Sequence, residues 1–255
     1  MFFKRIIKSI FGLEKKIEIN TLPSQGIFYN KDMEIYISKV DTESIIEYNN
    51  NYDHTDVLNI LDCVKKIIRD NTTFSEGYSF EDIKSVDIVF LFIEIVRFTK
   101  GDISISYINK RGDLTKKNIN PYNFNYFHFN DEILGYYNEE ERLFDINGYK
   151  FSIPTIGVEE SITDYLMDLS DEETIIKHNT YFYDFGYFVK HKNKLDHKEV
   201  DNLIQVFNYD IDEVEMKKIN KIIEVFRPMN KYSIIDDDGS VLNLTSKLDF
   251  HNIWD

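Results

Sequence analysis

The chain contains no alanine, one cysteine, one tryptophan and ten glycines among 255 residues. With Cys63 as the single thiol, no intrachain disulfide and no cysteine-based metal site is possible. The few glycines form no phosphate-cradling loop, and neither a nucleophile elbow nor a His-Glu-x-x-His pair is present. Basic charge is in deficit as well. Against 45 acidic side chains stand 30 basic ones, and the net charge of −15 repels phosphate backbones, which argues against nonspecific nucleic-acid binding. No signal-peptide pattern is recognised, so a reducing cytosolic environment is expected. Without alanine the core must come from Ile, 20 Phe and 17 Tyr, a mixture that favours β-branched and aromatic packing. The length suits one large domain or two small ones.

One segment runs against the acidic trend. Phe2, Phe3, Ile6, Ile7, Ile10 and Phe11 recur at helical spacing, while Lys4, Arg5, Lys8, Lys15 and Lys16 take the remaining surface and Gly12 ends the pattern. A short basic amphipathic helix is predicted. Its apolar run falls far below the roughly 20 residues of a bilayer span. It is therefore a helix docked on its own body, a helix offered to a partner protein, or a membrane-surface element.

Further along, Leu22-Pro23-Ser24-Gln25-Gly26-Ile27-Phe28-Tyr29 reads as a rigid turn, since Pro23 restricts φ and Gly26 admits a positive one. It feeds a strand beginning at Met33. Asp53 or Thr55 is expected to cap a helix with a stripe of Val57, Leu58, Ile60, Leu61, Val64, Ile67 and Ile68, leaving Lys65, Lys66 and Arg69 in solvent. After a loop at 71–77, a second helix from about Phe80 or Ser85 to Thr99 is apolar nearly all round, which implies burial, and Gly101 stops it. Ile103, Ile105 and Tyr107 alternate with serines and turn at Lys110 to Asp113 into a return strand ending near Ile119. Asn147-Gly148 is the strongest hairpin turn in the chain, and an aromatic strand is expected over 122–129. Beyond Pro154, Glu159 and Glu160 sit in the first turn of another helix. Asp196 with Glu199, and Asp212 with Glu215, have capping-box spacing and open two more. A last hairpin turns at Asp238-Gly239.

Three clusters invite a chemical reading. His178, His191 and His197 match no compact zinc spacing and read as surface histidines. Asp236-Asp237-Asp238-Gly239 lacks the terminal bidentate Glu of a calcium loop and reads as an acidic turn. Glu94 and Arg97, on the otherwise apolar helix, read as a pair that orients neighbouring elements. No catalytic residue, cofactor or metal ligand is expected, and the chain is read as a non-enzyme.

In the order of its blocks the chain resembles the baseplate hub assembly family of T-even-like contractile-tail bacteriophages. The first block is Leu22-Pro23-Ser24 through Gly26 and Phe28-Tyr29, with the strand from Met33 to Val40 and Glu43 behind it. The second is the capped helix around Ile60 and the spacing from Phe80 through Asp87 to Arg97, Gly101 and Tyr107. The third is Ile153-Pro154-Thr155-Ile156-Gly157 before an acidic helix, and the fourth is the helix pair of 196–226 with the closing hairpin and aromatic tail. Hairpins in that family carry paired cysteines, whereas neither 103–117 nor 232–245 has one here, so no metal knuckle is implied.

The resemblance implies a baseplate hub protein, an assembly factor with chaperone-like action or a structural component, that binds other hub or tail proteins in the host cytoplasm or in the virion tail. No enzymatic residue comes with it. The expected fold is α+β, with a turn and strand opening, a helical pair, central β-hairpins and a helical C-terminal part closed by a hairpin. The expected divisions are a basic arm at 1–18, a mixed domain at 19–157 and a helical domain at 158–255. Partner contacts are expected from the arm, through Phe2, Phe3, Ile6, Ile7, Ile10 and Phe11, and from exposed Phe28, Tyr29, Ile253 and Trp254, because aromatic anchors dominate interface energetics. The alternative is a membrane-surface accessory protein that docks through the same basic helix.

Overall fold

Apolar periodicity and turn chemistry set most elements of the computed structural model, which describes residues 13–53, 55–123, 131–146, 148–169, 185–189, 192–206, 211–226, 233–235, 241–243 and 253–254. In chain order they are β1 (Glu14–Ile17), β2 (Ile35–Ser38), α1 (Thr42–Asn51), α2 (Val57–Asn71), β3 (Thr72–Phe74), α3 (Ile88–Lys100), β4 (Ile103–Ile108) and β5 (Leu114–Ile119). There follow the single turn α4 (Asp131–Leu134), β6 (Tyr137–Asn138), β7 (Leu143–Ile146), β8 (Tyr149–Phe151), α5 (Ile156–Leu169), α6 (His197–Gln205), α7 (Glu213–Phe226), β9 (Ser233–Ile235) and β10 (Val241–Asn243). The strands make small antiparallel sheets, β1-β2-β3, β4-β5, β6-β7-β8 and β9-β10, beside the helices, which is an α+β architecture. No helix among the described residues is long and apolar enough to cross a membrane.

The helix α3 organises the larger core. Ile88 and Phe90 through Val96 are all buried, so this helix has almost no solvent face. Against it pack Ile35 and Ile37 of β2, Ile67 and Ile68 of α2, and Ile103, Ile105 and Tyr107 of β4. Gly101 takes φ +100° at its C-terminus and donates to the Arg97 carbonyl, as a glycine stop does. The β4-β5 hairpin pairs Ile103 with Ile119, and Ile146 pairs with Tyr149 across the tight turn at Gly148. Asp196 and Glu199 form the expected capping box, and Asp212 accepts from the amides of Val214 and Glu215.

Several expectations are corrected. Lys15 and Lys16 lie in β1, which pairs Glu14 with Ser38 and Ile17 with Ile35, so residues 14–17 belong to the central sheet and not to an arm. β3 forms inside the segment read as a loop, because the second edge of β2 accepts Thr72–Phe74. α1 had no sequence reading; its N-cap Asp41 accepts from the Ser44 amide at 2.7 Å. Asp56, rather than Asp53 or Thr55, accepts from an amide in the first turn of α2, that of Asn59, while Asp53 binds Thr55 ahead of the helix. On α2, Leu61 is exposed and Lys65 is largely covered beside Glu160.

The boundary drawn after residue 157 runs through α5. One core cluster joins Phe28 and Val86 to Phe144, Phe151, Ile219 and Ile223, so it spans that boundary. Pro121–Asn123 is a 3-10 turn, and the rest of the expected aromatic strand lies outside the described residues. So do residues 1–12, with all six apolar positions of the predicted arm helix.

Candidate functional site

The opening turn positions the site. Gln25 and Gly26 adopt φ of 56° and 72°, two successive left-handed residues that reverse the chain, and the Tyr29 amide closes the turn on the Gly26 carbonyl at 3.1 Å. A Cβ at Gly26 would stand 2.6 Å from Cγ2 of Ile19, so both space and backbone call for glycine. The turn lays Ser24 and Tyr29 on the N-terminus of α3, where Asp87 precedes the first helical residue. The Ser24 amide donates to Asp87 Oδ1 at 2.8 Å, and the Ser24 and Tyr29 hydroxyls each donate to Oδ2 at 2.7 Å. The Tyr29 oxygen also accepts the Lys84 backbone N–H at 2.7 Å.

Asp87 and Ser24 are fully buried. Burial pushes the Asp87 carboxyl up to about 6, although the hydrogen bonds from Tyr29 and Ser24 and the charge of Lys84 pull the other way. The helix N-terminus adds its own stabilisation of the carboxylate. Lys84 is buried as well, and its ammonium is not at ion-pair distance from Asp87. It donates to the Ile153 carbonyl at 2.9 Å, reaches Ser152 Oγ at 3.5 Å, and lies 5.8 Å from the centre of the Phe28 ring. Burial draws Lys84 down to about 8; Asp87 and Asp82 oppose the shift, and Arg142 adds to it.

The backbone ties the third element to the same point. The Ser85 amide donates to the Pro154 carbonyl at 3.0 Å and the Ile156 amide to the Ile83 carbonyl at 2.8 Å, so residues 83–85 and 154–156 are clamped side by side. Next to the clamp, Gly157 admits the close approach of Asn193, whose carbonyl oxygen a Cβ there would strike. Beside the clamp opens a cleft of about 100 Å3 whose walls include Tyr29, Lys84, Arg142, Ser152 and Asp82.

A second buried charge cluster sits farther along α3. Glu94 accepts from Arg97 and from Lys15, each at 2.5 Å, and from the Tyr122 hydroxyl at 3.2 Å. Arg97 also reaches Asn120 Oδ1 at 3.3 Å. Burial lowers the Lys15 ammonium, but its hydrogen bond and charge interaction with Glu94 outweigh that and leave it raised.

Of the expected partner-contact residues, Phe28, Tyr29 and Ile253 are buried and Trp254 is half-buried, which corrects the reading of them as exposed anchors. The cause is specific. Phe28 stands edge-on to Tyr137 and tilted against Phe144, Tyr29 is held by Asp87, and Trp254 stands edge-on to Tyr48 and Phe92. Ser24, Lys84, Asp87 and Arg142 were not singled out as a site. The signal was a Lys-x-x-Asp spacing in an apolar stretch, which says nothing about a turn 63 residues earlier. The described residues contain no group of three potential metal ligands. His197 lies 3.6 Å from Asp168, whereas His178, His191 and the Asp236–Gly239 turn fall outside the described residues.

In chemical terms the buried network is a latch. Ser24 is closed off from solvent with its hydroxyl committed to Asp87, so it presents no nucleophile. The cleft is the accessible part, and its character is cationic. Comparison of the chain with known protein families, with curated proteins and with solved structures finds no match.

Proposed function

We propose that this chain works by protein–protein binding in the baseplate hub of a contractile-tail bacteriophage, as a chaperone-like assembly factor or an incorporated component. One observation carries the reading. The residues through which the chain resembles that family meet at one place: Ser24 and Tyr29 of the first block hold Asp87 of the second, and the segment beginning at Ile153, the third, is clamped beside Lys84. Blocks that are loose in sequence thus share a single structural purpose, which is to fix the relative placement of three distant segments. The acidic net charge and the inward-turned serine fit a binding role better than a reaction centre.

The segment of 1–12 is the proposed contact element, acting during assembly in the host cytoplasm or within the tail. Deleting it is expected to leave the body folded and to weaken co-purification of hub proteins from infected cells. Retention of those proteins at full yield by the truncated chain would overturn the arm's role. Absence of hub and tail proteins from the full-length pull-down would overturn the function itself.

A further inference from the structure

Two cations, Lys84 and Arg142, border the cleft of about 100 Å3, and among the described residues neither has a carboxylate at ion-pair distance. Elsewhere covered basic groups are ion-paired, Lys15 and Arg97 with Glu94 and Lys65 with Glu160. Asp82, the acidic residue on the cleft wall, is already engaged. Its Oδ2 accepts from the Ser79 amide and hydroxyl at 2.8 and 3.0 Å, and its Oδ1 accepts from Asn193 at 3.0 Å. Lys192, also on the wall, is paired with Glu199. Asp87 and Asp82 act on Lys84 only through space, so Lys84 and Arg142 border the cleft without a carboxylate in direct contact, in a chain of net −15.

The second observation is the backbone that presents Arg142. Its φ of 54° is in the left-handed region, uncommon for a residue with a long side chain. Asn138 Oδ1 accepts the amides of Glu140 and Glu141 at 3.0 and 3.1 Å, and Glu141 is ion-paired with Lys150 of β8, so the loop that carries Arg142 is fastened at two points. Lys84 is fastened too, by Ile153 and Ser152. The Lys84 ammonium and the backbone that carries Arg142 are held in place before any ligand arrives, which lowers the ordering cost of binding.

We propose that this cleft binds one oxyanion group, a carboxylate or phosphate, through the Lys84 ammonium and the Arg142 guanidinium. The size fits that class. A cleft of about 100 Å3 has room for one such group with its waters, and it is far below the roughly 300 Å3 at which drug-sized ligand pockets begin. The anion comes either from a free ion or from an acidic side chain of a partner protein, and the second source rests on the partner-binding reading above.

Calorimetric titration of the full chain in low-salt buffer free of oxyanions, with inorganic phosphate and separately with hexaglutamate, separates these sources. Saturable binding of at least one probe is expected. Arg142→Asn, which removes the charge and tolerates the left-handed backbone, and Lys84→Met, which keeps the bulk, should each weaken it by about tenfold or more. Saturation by phosphate identifies a free ion, and saturation by hexaglutamate without phosphate identifies an acidic segment. If neither probe saturates, or if binding persists unchanged in the variants, the proposal fails. Circular dichroism establishes that the variants fold; should Lys84→Met not fold, Arg142→Asn decides alone. A negative result leaves the pull-down of hub proteins untouched, so the two ideas fail separately.

Discussion

The two buried charge clusters on α3 solve the same problem in opposite ways. Around Glu94, one carboxylate meets two cations and a hydroxyl directly, so each cation there has a carboxylate in contact. Around Asp87, the carboxylate meets hydroxyls and an amide instead: the Tyr29 hydroxyl donates to it and accepts the Lys84 amide, while the Lys84 ammonium donates to the Ile153 carbonyl. The difference separates a closed structural contact from one that leaves charge available to a ligand. Burial alone does not mark a site; whether each covered cation has a carboxylate in contact is what differs between the two.

The largest expected effect tests the closed cluster. Arg97→Ala strands Glu94 with Lys15 as its remaining cation and is expected to cost about 3 kcal/mol, read from urea unfolding. A loss within 0 to about 0.5 kcal/mol, the range of an ordinary surface change, would mean that Lys15 suffices and that the cluster is less closed than drawn. Next comes Tyr29→Phe, which deletes the hydroxyl between Asp87 and Lys84 and leaves a buried amide and a carboxylate oxygen each short of a partner. About 2 kcal/mol is expected. An equal loss in the Ser24→Ala chain would show the latch to be shared between both hydroxyls rather than centred on the tyrosine.

The smallest effect concerns protons. The Asp87 carboxyl titrates near 6 when folded and near its ordinary 3.8 when unfolded, so between those values the folded chain holds a proton that the unfolded chain has released. Its contribution to stability therefore grows as pH falls from 7 to 5, by about 1 kcal/mol relative to Asp87→Asn. The groups that face this carboxyl are Ser24, Tyr29 and Lys84, none of which changes charge in that interval. Glu159 is also pushed up by burial, but it is present in both chains and cancels in the difference. A difference independent of pH over that interval would place the Asp87 carboxylate in a more polar setting than its burial indicates.

The closed cluster was half legible in sequence and the latch was not. Glu94 and Arg97 are three residues apart on one helix, so their pairing follows from helical geometry. Lys15 joins them from a strand 79 residues away, a residue that sequence reading assigned to the surface of an amphipathic helix. The opening turn was read as rigid, which Gln25, Gly26 and the Tyr29 amide bear out, yet the same reading placed Phe28 and Tyr29 in solvent. An aromatic pair after a turn serves a core as readily as an interface, and no local pattern distinguishes the two.

By itself the sequence determined what depends on neighbours a few residues apart: the buried Val64, Ile67 and Ile68 of α2, the buried run and glycine stop of α3, the tight turn at Gly148, the β4-β5 and β9-β10 strand pairs and the Asp196 cap. Tertiary structure alone decided the strand partners of β2, the burial of Tyr29, and the pairing of Arg142 with Lys84 at one cleft. Short-range order follows from hydrogen bonds and rotamers that each segment carries with it. Which distant charges end up matched, and which are left facing a cavity, is settled only when the chain closes and water is excluded.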